Sequence, residues 1–257
     1  MINYLRVLGA LIILKSNWFK IILNKFLYFP IKFIKLGNGI LFKIEKNKTG
    51  KADISMLIEI WHYEFYNPPF MQINEKDIVF DIGGNNGFFT IYAGVKAKNG
   101  KVFAFEPVKE LAEKIRENIK VNNLNNIEVE NLAISNRNSF EDFYISKKHN
   151  GCHSLFKRDE SDEKIQIQNV KLEDYCLTKK IERIDFLKLD CEGAEYDIIL
   201  NLSQDFLKKI KKISMEYHDD ISNHTHGEIK SFLKENNFIV DCRNGFLYAI
   251  KSDIFYE

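Results

Sequence analysis

At 257 residues, 45% of them hydrophobic and 28% charged, the chain has the make-up of an ordinary globular protein with room for one large core and a small appendage. Its formal charge of +1 hides an asymmetry: residues 1–44 hold seven Lys/Arg and no acid, so the remainder is mildly acidic, which argues against a general nucleic-acid binder. Cys152, Cys176, Cys191 and Cys242 are widely spaced with no C-x-x-C pair, which speaks against a zinc knuckle or disulfide framework and for free thiols in a reducing cytoplasm.

Residues 1–36 are rich in Ile, Leu and Phe, but Lys15, Lys20, Lys25, Lys32 and Lys35 interrupt them. The longest uncharged run, Val7–Leu14, is far short of the ~20 apolar residues of a spanning helix. No small-residue cleavage site marks a signal peptide. Two readings stand: an arm packed on the core or on a partner, and a basic amphipathic helix lying on the cytoplasmic face of a membrane. The lysines are only roughly one-sided, which favours the packed arm. Pro30 and the Gly37-Asn38-Gly39 turn close this arm, residues 1–40. A strand over 40–46 and a helix over Ile54–Phe65, capped by Asp53 and stopped by Asn67-Pro68-Pro69, follow. Residues 41–76 thus read as a lid or sheet-edge cover ahead of the main domain, 77–257.

Ile78, Val79, Phe80 and Ile82 make a short apolar run, the pattern of a buried parallel strand. It ends at Asp81 and a turn with Gly83, Gly84 and Gly87; apolar residues at helical spacing begin at Phe88. Such a strand, glycine-rich turn and helix make a nucleotide-type site. Next come a strand Lys101–Phe105 ending in Glu106-Pro107, a helix Val108–Asn122 and a strand Ile127–Asn131. Phe140–Ile145 and Ile165–Val170 read as paired strands around a polar loop. Phe186–Leu189 is a fourth buried strand ending at Asp190, followed by a helix Asp197–Leu207, a strand Ile213–His218 and a helix Gly227–Glu235. Phe238–Cys242 and Phe246–Ile250, joined by Asn244-Gly245, form a terminal hairpin. The alternation implies an α/β protein with a mostly parallel three-layer sheet.

Ligands of open α/β sheets bind at the carboxyl ends of the strands, where Asp81, Glu106, Asp190, Glu216 and His218 all fall. Glu106, one strand after the turn, suits the ribose hydroxyls of a nucleoside. The turn Gly83-Gly84-Asn85-Asn86-Gly87 fits neither G-x-G-x-x-G nor a P-loop. Its D-x-G-x-N-x-G form matches S-adenosylmethionine-dependent methyltransferases, with Asn85 in place of the usual middle glycine.

VFDIGGNNGFFT with FAFEP, NLAIS (Asn131–Ser135), KLDCEGAE (Lys188–Glu195) and SMEYH (Ser214–His218), in that order, resemble the FkbM family of methyltransferases over roughly residues 50–250. The resemblance implies a Rossmann-like class I sheet of seven strands with the last one reversed. It implies transfer of the methyl group of S-adenosyl-L-methionine to a hydroxyl oxygen, typically of a sugar or polyketide. Asp81, Gly83, Asn85, Gly87, Glu106, Ala133 and Asp190 become the expected cofactor contacts.

Transfer to a hydroxyl is helped by a base that takes its proton. His218 is the best base by intrinsic pKa, against the alternative of a strand-end residue that steadies a carboxylate. Asp190, Glu192 and Glu216 complete the catalytic candidates; Asp190 reads more as a ligand than a base, and Glu192 and Glu195 also suit a helix N-terminus. These carboxylates and His218 could hold a divalent ion, but no metal is expected, because nothing in the resemblance demands one. His153 lies in the loop between the paired strands, where the resemblance implies contact with substrate, against the plainer reading of an exposed loop histidine; His224 and His226 read as surface or capping residues. The expected acceptor is a glycan or glycolipid hydroxyl, with a soluble metabolite or a catalytically silent cofactor-binding subunit as alternatives. Nucleic acid is disfavoured: Asn67-Pro68-Pro69-Phe70 has the form of a base-methylating motif but stands before the cofactor turn, not after the fourth strand.

Overall fold

The computed structural model describes residues 33–43, 51–145 and 163–255. They begin with a hairpin, β1 (Phe33–Lys35) and β2 (Leu41–Lys43), and helix α1 (Lys51–Trp61). The alternation β3 (Ile78–Ile82), α2 (Phe88–Lys96), β4 (Lys101–Phe105), α3 (Lys109–Val121), β5 (Ile127–Glu130) follows. Next come β6 (Ala133–Ser135), β7 (Ser139–Ile145), β8 (Glu163–Lys171), α4 (Leu172–Lys179) and β9 (Phe186–Leu189). The chain continues through α5 (Glu195–Leu200), α6 (Gln204–Leu207), β10 (Lys212–Glu216), α7 (His226–Glu235), β11 (Phe238–Arg243), β12 (Phe246–Lys251) and α8 (Ser252–Phe255).

Seven strands form one sheet in the order β11-β12-β10-β9-β3-β4-β5, and only β12 runs against its neighbours. This is the expected mostly parallel sheet with its last strand reversed. Its central strands are buried on both faces, which is why they read as unbroken apolar runs. Phe80, Ile82, Phe105 and Leu189 face one side and pack with Tyr175, Tyr196, Ile199 and Leu233 from α4, α5 and α7. Val79, Val102 and Phe186 face the other and pack with Leu57, Phe88, Phe89 and Ile91 from α1 and α2. From β3 the chain moves outward to β4 and β5, then returns to β9 on the other side of β3. The connections therefore diverge between β3 and β9, and a crevice opens there at the strands' carboxyl ends.

A second sheet, ordered β6-β8-β7, holds the expected strand pair plus a third strand parallel to β8. Its Phe143 and Ile167 pack on Val108 at the start of α3, so it roofs the crevice beside β4. Cys152 and His153 in the intervening loop, and the arm up to residue 32, lie outside the described residues. No helix among the described residues is long and apolar enough to cross a membrane.

Local differences from the sequence reading have identifiable causes. Helix α1 starts at Lys51, so Asp53 sits in its first turn instead of capping it. It ends at Trp61 because His62 and Tyr63 both donate to Ile58 O and Phe65 donates to Glu59 O, after which Glu64 turns left-handed at φ 50°. That unwinding carries Tyr66 inward. The single helix expected over Asp197–Leu207 is two: Asn201 caps α5, and Ser203 caps α6 by accepting a 3.2 Å bond from Phe206 N. Helix α4 has no strong apolar periodicity and was not foreseen. Cys176, Cys191 and Cys242 are free thiols.

Candidate active site

Gly83 sits at φ 81° directly under the next strand: a Cβ there would lie 1.9 Å from the carbonyl oxygen of Asp190. The approach follows from the β3–β9 pairing, which Asp190 N continues by donating to Ile82 O at 3.1 Å, while Gly83 N and Gly84 N donate to Phe105 O of β4 on the other side, at 3.1 and 3.0 Å. Asn85 occupies the left-handed region at φ 47°, which asparagine tolerates better than most residues. The Asn85 N–H donates to Glu106 Oε2 (2.7 Å) and the Val108 N–H to Glu106 Oε1 (2.9 Å), so Glu106 clamps the turn to the start of α3. Burial pushes its carboxyl up to about 7 against the pull of these two donors and of Lys188, with Asp81 adding to the rise.

Asp81 is fully buried behind the turn. Its Oδ2 accepts from Thr90 Oγ1 at 2.6 Å, tying β3 to α2, and its Oδ1 lies 3.0 Å from Lys188 Nζ. The pair arises because Asp81 and Lys188 are register partners on β3 and β9. Lys188 Nζ also donates to Gly83 O at 2.8 Å and stands 3.8 Å from Asp190 Oδ2. Burial works against its charge, but Asp81 and Asp190 outweigh burial and hold its pKa above the ordinary lysine value.

Two clefts meet at this turn. The first runs under the small sheet; Glu106 faces it among apolar neighbours that include Pro107, Leu111, Ala133, Phe143 and Ile167. The second lies between α1 and the ends of β9 and β10. Gly83, Asn85, Asp190 and Glu192 line both. Of the expected cofactor contacts, Gly83, Asn85, Glu106, Ala133 and Asp190 stand on the wall of the first cleft. Asp81 and Gly87 do not: Asp81 supports the turn from below, and Gly87 caps α2 and packs against Ile115.

The catalytic candidates Asp190, Glu192, Glu216 and His218 converge on the second cleft. Glu192 arrives by a left-handed turn, φ 55°, and not by strand alternation. The Tyr66 hydroxyl is 2.8 Å from both Asp190 Oδ2 and Glu216 Oε2. One phenol proton cannot serve two carboxylates, so the chain is completed by a proton on a carboxyl. Glu216 is suited to carry it, because burial and then Asp190 push its pKa up to about 7. Glu195 is buried completely, accepts from Cys191 N (2.6 Å) and Gly193 N (2.8 Å), and faces His218 Nδ1 at 3.2 Å. His218 Nε2 is left 3.8 Å from Glu192 Oε2. Burial would lower the His218 pKa, but Glu195 first, then Asp190 and Glu192, raise it to about 9.

Asp190, Glu195 and His218 place ligand-type atoms within 4.8 Å of one another, but Glu195 and His218 already bond each other there. Asn67 is consumed internally: its amide reaches Tyr92 OH (2.8 Å) and Gln72, and its oxygen accepts from Ile73 N (2.6 Å). The Asn67-Pro68-Pro69-Phe70 string is therefore structural. Trp61 packs edge-on against Phe42 and Tyr92 and does not line either cleft. His226 bonds Asp219 and stacks on Tyr217. Sequence reasoning passed over Tyr66 and Lys188 as site residues, and left Glu195 open between a site carboxylate and a charge at a helix N-terminus. Lys188 did leave a trace, as a lysine inside the apolar strand Phe186–Leu189.

The first cleft fits an adenosine-type ligand. Each Glu106 oxygen accepts one backbone N–H and keeps a lone pair for a ribose hydroxyl; apolar side chains flank the space beyond; and Asn169 Oδ1 lies buried in the wall with no hydrogen-bond partner. Replacing Glu106 with alanine should weaken S-adenosylhomocysteine binding roughly 10- to 100-fold by isothermal titration, since charge-assisted bonds are lost and two N–H groups are released. Unchanged affinity would remove Glu106 from the cofactor site.

Residues 81–240 match the family model for the methyltransferase FkbM domain. The chain is 23% identical over 248 residues to the 31-O-demethyl-FK506 methyltransferase FkbM of Streptomyces tacrolimicus, covering 85% of this chain and 93% of that one. It is 29% identical over 160 residues to the 2-O-methyltransferase NoeI of Sinorhizobium fredii, covering 55% and 63% respectively. A match of 24% identity over 229 residues to the AMB antimetabolite synthetase AmbE of Pseudomonas aeruginosa takes in 74% of this chain but only 11% of that protein's length. This chain belongs to the FkbM family of methyltransferases, with S-adenosylmethionine as its methyl donor.

Proposed function

We propose that the protein methylates a hydroxyl oxygen of a sugar, in a glycan or glycolipid. S-adenosylmethionine, when bound, supplies an electrophilic methyl group on a sulfonium. The observation that carries the reading is the second cleft, where His218, Glu216, Asp190 and Glu192 stand against Tyr66 and Phe246 beside the donor turn. Carboxylates and an imidazole suit neighbouring hydroxyls, and aromatic faces suit the apolar faces of a sugar ring. The names of two relatives, a 2-O-methyltransferase and a 31-O-demethyl-FK506 methyltransferase, point to oxygen as well.

In this reading His218 is the base. Glu195 keeps the Nδ1 proton, so Nε2 accepts the proton of an acceptor hydroxyl held about 3 Å from the methyl carbon. Helix α1 acts as the lid, with Met56, Glu59 and Ile60 forming its inner face. Labelled methyl from S-adenosylmethionine, offered to fractionated extract, should appear as an acid-stable methyl ether on a released monosaccharide. Label in a lipid fraction would mark a glycolipid acceptor. Label only on a sugar-free metabolite, on nitrogen or on nucleic acid would overturn the sugar reading.

A further inference from the structure

Asn169 is 1% exposed and lies in the centre of the small sheet, on β8, with Ser139 of β7 across one side and Ala133 of β6 across the other. Hydrogen-bond counting fixes which way its amide points. Arg137 pairs with Glu141, which keeps Glu141 an acceptor; the Ser139 hydroxyl donates to Glu141 Oε1 at 2.8 Å. With its proton spent there, Ser139 Oγ can only accept, and it does so from Asn169 Nδ2 at 3.4 Å. The amide oxygen is then the end turned away from Ser139. Asn169 Oδ1 is accordingly shielded from water and has no partner. A buried acceptor without a donor lowers stability, and a ligand that brings a donor to this oxygen would satisfy it.

Asn169, Ala133 and Ile167 share the face of the small sheet that lines the first cleft, together with Glu106. We infer that Asn169 Oδ1 accepts a hydrogen bond from the exocyclic amine of the donor's adenine, and that this residue makes the cleft selective for a 6-amino purine. Glu106 takes the ribose at one end, the apolar walls take the ring, and Asn169 reads the far edge after a small turn of its amide. The inference rests on the donor being S-adenosylmethionine; it adds which side chain of this chain reads the base.

The test is titration calorimetry with S-adenosylhomocysteine and its 6-oxo counterpart, S-inosylhomocysteine, which places an acceptor where the amine stood. The wild type should prefer the amino ligand by roughly 10- to 100-fold. Asn169→Leu, shown folded by its melting curve, should bind the two with similar affinity, whereas Asn169→Asp, which keeps an acceptor, should retain the preference. If the leucine variant does not fold, Asn169→Ala supplies the same comparison. Equal affinities in the wild type, or undiminished preference in the leucine or alanine variant, would overturn the inference. Failure of the wild type to bind S-adenosylhomocysteine at all would overturn the donor assignment itself, a separate result.

Discussion

Replacing His218 with asparagine should lower kcat about 10²- to 10⁴-fold, the usual worth of a positioned general base, while leaving S-adenosylhomocysteine affinity nearly unchanged. Asparagine keeps a donor for Glu195 but has no lone pair to offer at the position of Nε2. Because its pKa is raised to about 9, His218 is an imidazolium at neutral pH and cannot accept a proton until it loses one. Wild-type kcat/KM should therefore climb with pH towards about 9, and the variant should lose that slope. Full activity in the variant across roughly pH 6–9, around the usual histidine range, would exclude His218 as the base. The shift also bears on folding. A histidine raised from 6.5 to about 9 stabilises the fold fully below 6.5, and that contribution is lost as pH rises through 9. The loss amounts to about 3 kcal/mol in sign and scale. Denaturant melts of the apo protein on either side of that window should show it in the wild type and not in the asparagine variant, whatever the acceptor proves to be.

Substituting methionine for Lys188 should destabilise the protein by about 3–5 kcal/mol in urea melts, because the Asp81 carboxylate would be left buried without its cation. Lys188 is only 2% exposed, lies over the rings of Tyr66 (5.3 Å) and Phe89 (5.9 Å), and holds Gly83 O. Losing it should therefore loosen the donor turn as well as the sheet. A double variant, Asp81→Asn with Lys188→Met, should recover much of the stability, since removing both charges avoids the stranded ion. A single-variant loss under about 1 kcal/mol would mean that the pair contributes no more than an exposed one.

The strand–turn–helix around Asp81 was legible because a strand buried on both faces leaves an unbroken apolar run and a left-handed turn needs glycine or asparagine. The terminal hairpin was legible for the same reason: Asn244 and Gly245 both take positive φ, at 53° and 86°, as a two-residue turn requires. Glu106 could be placed because one strand separates it from the turn. What the sequence concealed were partnerships between distant residues. Tyr66 stands one residue past the expected helix Ile54–Phe65, and only the unwinding after Trp61 brings it to Asp190, 124 residues further along the chain. Glu195 suited a site carboxylate and a charge at a helix start equally well, and only folding placed it against His218 Nδ1.

The sequence alone therefore determined the sheet, the glycine-rich turn after β3 and the carboxylates at the strand ends, because periodicity and backbone φ preferences are local and leave local traces. Only the tertiary structure decided the ion pair under the turn, the protonation of His218 and Glu216, and the unpaired oxygen of Asn169. Those depend on burial and on which charges and donors meet across strands, and neither is written in the spacing of residues along the chain.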